Sequence, residues 1–206
     1  MSNDFIYGTT RVKPNKKFGD WCIEEFTVNE SEAEMFNLRM RFQGKANQCI
    51  RAGQYLRLQQ LSTGFVVMSN TPMECDTNQI AYEFARGSVL VAGLGMGMIL
   101  EAMLSKPEVT HIRIIEIDSD IIEYVGGFFK DDPRVEIIHD DILNYFPTEN
   151  EFYNYVWIDI WDDIDIGNEP QITELNERFK DHCHEMNLWS MELIGCDPEE
   201  YYKIAL

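Results

Sequence analysis

The feature that most constrains this chain is a glycine-rich turn between an apolar strand and an apolar helix. Residues 89–92 form a short apolar run, and residues 98–104 have the composition of a helix. Three alternating glycines lie between them: Gly93, Gly95 and Gly97. Such glycines let the main chain approach a ligand closely, and an acidic residue about 20 positions later can bind ribose hydroxyls. Glu116 stands at that distance, so the pattern predicts a nucleoside site on a strand–helix–strand unit.

The region from residue 88 onward alternates between strand and helix patterns. Its predicted strands are short and rich in β-branched residues, as expected for strands buried on both faces; they are residues 89–92, 112–115, 135–138 and 155–158. Predicted helices at 98–104 and 119–129 separate them, and an amphipathic helix begins at Pro170. This order predicts a parallel sheet with right-handed crossovers. After Asp159 the sequence predicts helices and no further strand.

The first 70 residues have a different organisation. They contain a predicted strand at 21–28, a helix opened by a capping box at 31–34, and a hairpin within 55–68. A second capping box at 71–74 opens a helix to about residue 85. We therefore predict an α/β protein in two parts. Residues 1–70 form an N-terminal α+β appendage, and residues 71–206 form a Rossmann-like domain with C-terminal helices.

Composition narrows the function classes. The formal net charge of −19 repels phosphate backbones, which argues against nucleic acid as a partner. The five cysteines show no CxxC spacing, and neither a signal peptide nor an apolar run long enough for a membrane span is evident, so a cytoplasmic protein without a membrane partner is expected. The cluster Asp181-His-Cys-His184 has no second group of ligands, and no metal site is predicted.

Carboxylates follow each predicted strand. Glu116 is the candidate for the ribose diol, whereas Asp118 is expected to favour the positive end of the next helix. Asp141 can accept a hydrogen bond from an adenine amine or cap the segment after it, and the residues leave both alternatives open. Asp159 and Asp162 follow the fourth strand, where open α/β sheets hold their ligands, and can bind a cationic substrate or take a proton from an amine.

Together these residues resemble the class I S-adenosylmethionine (SAM)-dependent methyltransferase fold, and more closely its spermidine synthase branch. That branch carries a GGGDGG turn, a strand ending in Glu-Ile-Asp, a Gly-Asp pair and an Asp-x-x-Asp motif. This chain has related motifs in the same order at residues 93–98, 116–118, 140–141 and 159–162. The resemblance covers roughly residues 64–165 and implies a Rossmann-like sheet of this type, shortened at its C-terminus.

The resemblance also implies roles for individual residues. The three glycines of the turn would line the methionine part of SAM or decarboxylated SAM, and Glu116 would hold the ribose. Ile117 would pack on the adenine and Asp141 would meet its amine, with Ile142 in the same cofactor-binding set. Asp159 and Asp162 are the predicted catalytic residues, facing an amine substrate.

Two departures from the family pattern decide the predicted activity. Met96 replaces the turn aspartate of aminopropyl-transferring enzymes, which favours SAM over its decarboxylated form, and Ile160-Trp161 replaces small hydroxyl residues. The leading prediction is a SAM-dependent methyltransferase acting on a small or cationic acceptor. One alternative is a spermidine synthase-like aminopropyltransferase, and another is a non-catalytic nucleoside-binding or protein-interaction module. A homo-oligomer is expected because a shortened sheet leaves an edge to cover.

Overall fold

Two β-sheets organise the protein. The computed structural model describes residues 9–43, 49–161 and 166–189. Within them, a four-stranded antiparallel sheet comes first in the chain, and a five-stranded parallel sheet follows it. None of the helices in the described ranges has the length and apolarity that a membrane span requires.

The N-terminal sheet has the strand order β1-β2-β3-β4. Its strands are β1 (Lys16–Phe18), β2 (Trp21–Val28), β3 (Gly53–Gln60) and β4 (Val66–Ser69). The predicted strand and hairpin are therefore present. Helix α1 (Glu30–Phe42) connects β2 to β3, but its capping box was predicted two residues too late. Asn29 is the N-cap: its side chain accepts from the Glu32 N–H, and the Glu32 carboxylate accepts from the Asn29 N–H, both at 2.9 Å.

The helical region after β4 also differs from the prediction. The continuous helix expected up to residue 85 is two short helices, α2 (Pro72–Thr77) and α3 (Gln79–Phe84), which meet at Asn78. Thr71 makes no side-chain capping bond, so the predicted capping box at 71–74 was wrong. The Glu74 carboxylate instead accepts from the backbone N–H of Ser69, at 3.4 Å, and is turned back toward the end of β4.

The parallel sheet has the order β7-β6-β5-β8-β9. Its strands are β5 (Gly87–Ala92), β6 (Val109–Glu116), β7 (Val135–His139), β8 (Tyr155–Ile158) and β9 (Met186–Leu188). In chain order this is 3-2-1-4-5, the arrangement of a doubly wound Rossmann-like sheet, and the predicted fold class is confirmed. The prediction of no strand after Asp159 was wrong: β9 pairs with β8, and its three residues are too few to give a periodic signal.

Helices cover both faces of this sheet and bury its central strands. Helices α4 (Met98–Leu104), α5 (Ser119–Tyr124) and α6 (Glu169–Phe179) follow β5, β6 and β8, in the order predicted. The helix predicted at 119–129 is shorter than expected and continues as a 3-10 turn at Gly126–Phe128. Every residue of the apolar run at 89–92 is fully buried. The part of the predicted C-terminal helical region beyond residue 189 lies outside the described residues.

Candidate functional site

A cavity of about 790 Å³ opens at the carboxyl ends of the parallel strands. Open α/β sheets bind ligands at this edge, at the point where the strand order reverses. In this sheet that point lies between β5 and β8. The glycine turn and the ends of β6 and β8 form one wall, and β4 with α2 forms the other. The cavity therefore lies between the two sheets, and no single sequence motif predicts this position.

Glu116 connects the glycine turn to the end of β6. Its side chain is buried, with 6% exposure, and it also borders the cavity. Oε2 accepts from the backbone N–H of Leu94 at 2.7 Å, and Oε1 accepts from the N–H of Asp118 at 2.9 Å. Burial raises the pKa of Glu116, and these two N–H donors oppose the shift. The backbone of Ile117 also hydrogen-bonds to this carboxylate. A carboxylate can accept about four hydrogen bonds, so acceptor capacity remains for the predicted ribose contact.

The three glycines of the turn have different surroundings, although all have positive φ. A Cβ on Gly93 would stand 2.5 Å from the backbone carbonyl oxygen of Asp159, so only glycine fits between β5 and β8 here. Gly93 and Gly95 line the cavity, whereas Gly97 packs against Phe129 and is not among the lining residues. The structure thus gives Gly97 a packing role, and its cofactor contact stays a prediction.

A methionine from the N-terminal sheet lies against this turn. The Met68 sulfur accepts from the backbone N–H of Met96 at 3.1 Å, and it occupies the space that a Cβ on Gly95 would need. Met68 covers one side of the turn, while Gly93 and Gly95 remain on the cavity wall. Met96 itself is fully buried in the core, so its side chain offers nothing to a ligand.

Asp118 and Asp141 both stabilise local turns. Asp118 is the N-cap of α5, where its carboxylate accepts from the N–H groups of Asp120 and Ile121, and the indole of Trp21 donates to it at 2.9 Å. The structural role predicted for Asp118 is therefore observed. Asp141 accepts from the Leu143 N–H and the Asn144 side chain, both at 2.9 Å. Its capping alternative is present, in a turn rather than a helix, and its adenine contact stays a prediction.

The remaining predicted cofactor residues lie on the same wall of the cavity. Ile117 is 64% exposed at the cavity's edge, which leaves an apolar side chain available to a planar ring, whereas Ile142 is buried beside it. Asp159 lines the cavity after β8. The other predicted catalytic residue, Asp162, lies outside the described residues.

Asp159 lies near Glu74, which the sequence predicted to be part of a helix-capping box. Burial and the nearby charge of Glu74 raise the pKa of Asp159 to about 7. Burial likewise raises the pKa of Glu74 to about 7, although the Ser69 N–H opposes this. Cys75 lies between Glu74 and Asp76 in the sequence. Burial is the main cause that raises the pKa of its thiol to about 11, and the charges of these two neighbours add to the effect. The thiol stays protonated near neutral pH and is a poor nucleophile.

The charge of the cavity has one sign. Six carboxyl side chains line it: Glu74, Glu116, Asp118, Asp140, Asp141 and Asp159. Among the lining residues that the structure describes, none is lysine, arginine or histidine. In the same described ranges, no group of three or more acidic, histidine or cysteine side chains is arranged to hold a metal ion. The cavity is therefore suited to positively charged organic ligands.

Aromatic side chains complete the walls. All four tryptophans of the chain border the cavity: Trp21, Trp157, Trp161 and Trp189. Sequence reasoning missed this arrangement, and it also missed Glu74 and Met68 as residues of the site. No local motif marks them, since they approach the glycine turn only through packing of the N-terminal sheet.

Part of this chain is similar in sequence to known transferases. No protein-family model matches the sequence. The polyamine aminopropyltransferase of Buchnera aphidicola subsp. Schizaphis graminum is 29% identical over 103 residues, which are 47% of this chain and 35% of that protein. The polyamine aminopropyltransferase of Bacillus subtilis is 31% identical over 77 residues, 34% of this chain and 28% of that protein. The matched part is about a third of the length of these relatives. The resemblance to the spermidine synthase branch is thus confirmed over part of the chain.

Solved structures give similar but distant matches. Spermidine synthase from Thermotoga maritima aligns at 22% identity with a TM-score of 0.43, over 64% of this chain and 46% of that one. The 23S rRNA methyltransferase ErmE aligns at 19% identity with a TM-score of 0.44, over 55% of this chain and 44% of that one.

Proposed function

We propose that this chain is a transferase that moves the aminopropyl group of decarboxylated SAM to an amine. The observation that carries this proposal is the cavity of six carboxyl groups without a basic side chain among its described lining residues. Decarboxylated SAM carries a sulfonium and an ammonium group, and SAM adds a carboxylate to them. A carboxylate placed among others without a cationic partner is strongly disfavoured. The named activity of the sequence relatives points the same way.

The residues of the cavity divide the work between donor and acceptor. Glu116 offers the free lone pairs of a fixed carboxylate to the donor's ribose, and Ile117 offers an apolar surface to its adenine. Asp159 holds the amine and takes its proton, because a base with a pKa near the working pH is the most effective. The amine nitrogen bonds to the methylene carbon of the aminopropyl group that is attached to the sulfonium. The bond between this carbon and the sulfur breaks, and methylthioadenosine is released. Alignment of these two atoms supplies most of the rate enhancement.

Methyl transfer from SAM is the second candidate, and Met96 favours it. The turn residue that is an aspartate in aminopropyl-transferring enzymes is here a fully buried methionine. The turn therefore supplies no carboxylate to the donor's ammonium group. The acidic cavity favours decarboxylated SAM as the donor, whereas Met96 favours SAM. Measuring which donor binds more tightly therefore distinguishes the two activities.

Binding of three nucleosides tests the proposal. SAM, decarboxylated SAM and methylthioadenosine are titrated by calorimetry and by tryptophan fluorescence, since every tryptophan borders the cavity. Salt at about 0.15 M limits non-specific attraction to the acidic surface. We expect decarboxylated SAM to bind at least about tenfold more tightly than SAM, a difference of about 1.4 kcal/mol. Methylthioadenosine should then appear when putrescine is added with the decarboxylated donor.

Two outcomes would overturn the proposal. Tighter binding of SAM, with methylation of an amine, would establish the second candidate. Absence of binding by all three nucleosides at millimolar concentration would remove both activities and favour a non-catalytic module, in which Met68 covers the turn permanently.

A further inference from the structure

Glu74 approaches the active cavity from outside the Rossmann-like sheet. It lies on α2, which directly follows β4 of the N-terminal sheet, and its partly buried side chain lines the cavity. The Ser69 N–H, donating to one carboxylate oxygen at 3.4 Å, limits where the side chain can turn. None of the motifs that resemble the spermidine synthase branch contains this residue.

Asp159 approaches the same space from the opposite wall. Its backbone N–H donates to Ala92 at 3.1 Å, which fixes the residue at the end of β8 beside the glycine turn. Among the described residues, Glu74 is the one charged group that raises the pKa of the Asp159 carboxyl, and no described group donates a hydrogen bond to this carboxyl. Asp159 is thus a partly buried acidic group that lacks a hydrogen-bond partner within the described part of the protein and borders an open cavity.

Two partly buried carboxyl groups in one cavity are costly to ionise together. Each disfavours the charge of the other unless a cation lies between them, and burial strengthens the effect. Aromatic rings add attraction for a cation, and Trp161 and Trp189 border the cavity near the end of β8. An ammonium group is the ligand that satisfies both carboxyl groups and the rings at once.

We propose that Glu74 is a specificity-determining residue that holds the reacting ammonium group of the acceptor jointly with Asp159. This inference rests on the proposed transferase function and adds an acceptor contact from the N-terminal sheet side of the cavity. It restricts the acceptor to amines that arrive as cations, and neutral alcohol or thiol acceptors are rejected. Binding of the ammonium lets both carboxyl groups ionise, so amine binding releases protons to the solvent.

A charge-removing variant with a matched control tests this role. Glu74→Gln keeps the shape of the side chain, and Asp76→Asn removes a charge from an exposed position on the same helix that does not line the cavity. Putrescine is the probe. Its KM and kcat are measured with decarboxylated SAM, and its binding without donor is measured by calorimetry in buffers of different ionisation enthalpy. Donor affinity is followed separately by tryptophan fluorescence.

We expect Glu74→Gln to raise the KM for putrescine at least about tenfold, equivalent to about 1.4 kcal/mol of lost binding. Donor affinity should stay within about twofold, and Asp76→Asn should behave as the wild type. Proton release on putrescine binding near pH 7 should fall in Glu74→Gln. If Glu74 had only a structural role, Glu74→Gln would lower stability and would not change the KM for putrescine separately from the donor affinity. Glu74→Asp, which keeps the charge, should restore part of the putrescine binding.

The outcomes distinguish this inference from the proposed function. An unchanged putrescine KM in Glu74→Gln, or an equal loss of donor and putrescine affinity, overturns the role of Glu74 and leaves the transferase activity standing. Putrescine binding that depends on Glu74 in a protein that binds no nucleoside supports the ammonium site while the transferase proposal fails. Loss of both bindings in the wild type overturns both.

Discussion

Replacement of Asp159 by asparagine tests the electrostatics of the cavity through stability alone. Burial and Glu74 raise the pKa of Asp159 from 3.8 to about 7, so the folded protein binds this proton more tightly than the unfolded chain. The resulting stabilisation is fully present below about pH 3.8 and is lost as the pH rises through about 7. At 1.36 kcal/mol per pKa unit, the loss at pH 8.5 has an upper limit of about 4 kcal/mol.

Asparagine has nearly the same shape and carries no charge, so it avoids this loss. We expect Asp159→Asn to raise the free energy of unfolding by up to about 4 kcal/mol at pH 8.5 and by about 2 kcal/mol at pH 5.5. The assay is urea denaturation followed by tryptophan fluorescence at both pH values. The difference between them, about 2 kcal/mol, is the diagnostic quantity because changes in packing contribute equally at each pH.

The control is Asp131→Asn, which removes a charge from an exposed position outside the cavity lining. It corrects for the general effect of lowering the net charge of this acidic chain. An Asp159→Asn variant with the same effect at both pH values, or one less stable than the wild type at pH 8.5, would refute the reasoning. Asp159 would then be ionised and solvated in the folded protein.

Glu116→Gln removes one of two oxygens that accept buried backbone N–H groups, so unfolding should become easier by about 1–3 kcal/mol. The affinity of Glu116→Gln for methylthioadenosine should be at least about tenfold lower than that of the wild type. Calorimetric titration measures it, with the exposed Glu123→Gln as the control. If Glu116→Gln and Glu123→Gln bind methylthioadenosine equally well, the ribose role of Glu116 is excluded. Gly93→Ala forces alanine to φ 94 and places its Cβ 2.5 Å from a backbone oxygen. It should cost at least about 2 kcal/mol in urea denaturation, whereas Gly127→Ala, with open space around it, should be tolerated; equal midpoints for the two variants would contradict this.

The strand–turn–helix unit could be predicted because its information is local. Glycines with positive φ, a fully buried apolar strand and an acidic residue at the next strand end are all readable from one short segment. The same locality explains the correct assignment of Asp118, whose carboxylate caps the helix that begins at the next residue. The errors concern weak or short signals, such as Asn29 as the true N-cap and the three-residue strand β9.

Residues of the second wall could not be predicted, because their roles depend on contacts between distant segments. Glu74 has the sequence context of a capping residue, and only the packing of α2 over the sheet brings it near Asp159. Met68 lies 28 positions before the backbone N–H that its sulfur accepts from. Neither contact has a periodicity or a spacing that a linear pattern can express.

The sequence alone determined the alternation of strands and helices up to Asp159 and hence a parallel sheet, because the apolar runs and turn residues are local signals. It also predicted the edge of the sheet at which a ligand would bind. It also determined the acidic character of the protein. Only the tertiary structure decided which carboxyl groups from distant segments share one cavity. That distinction is physical: a carboxylate's charge is cheap in water and costly beside another buried carboxylate, so its chemistry is set by neighbours that folding brings together.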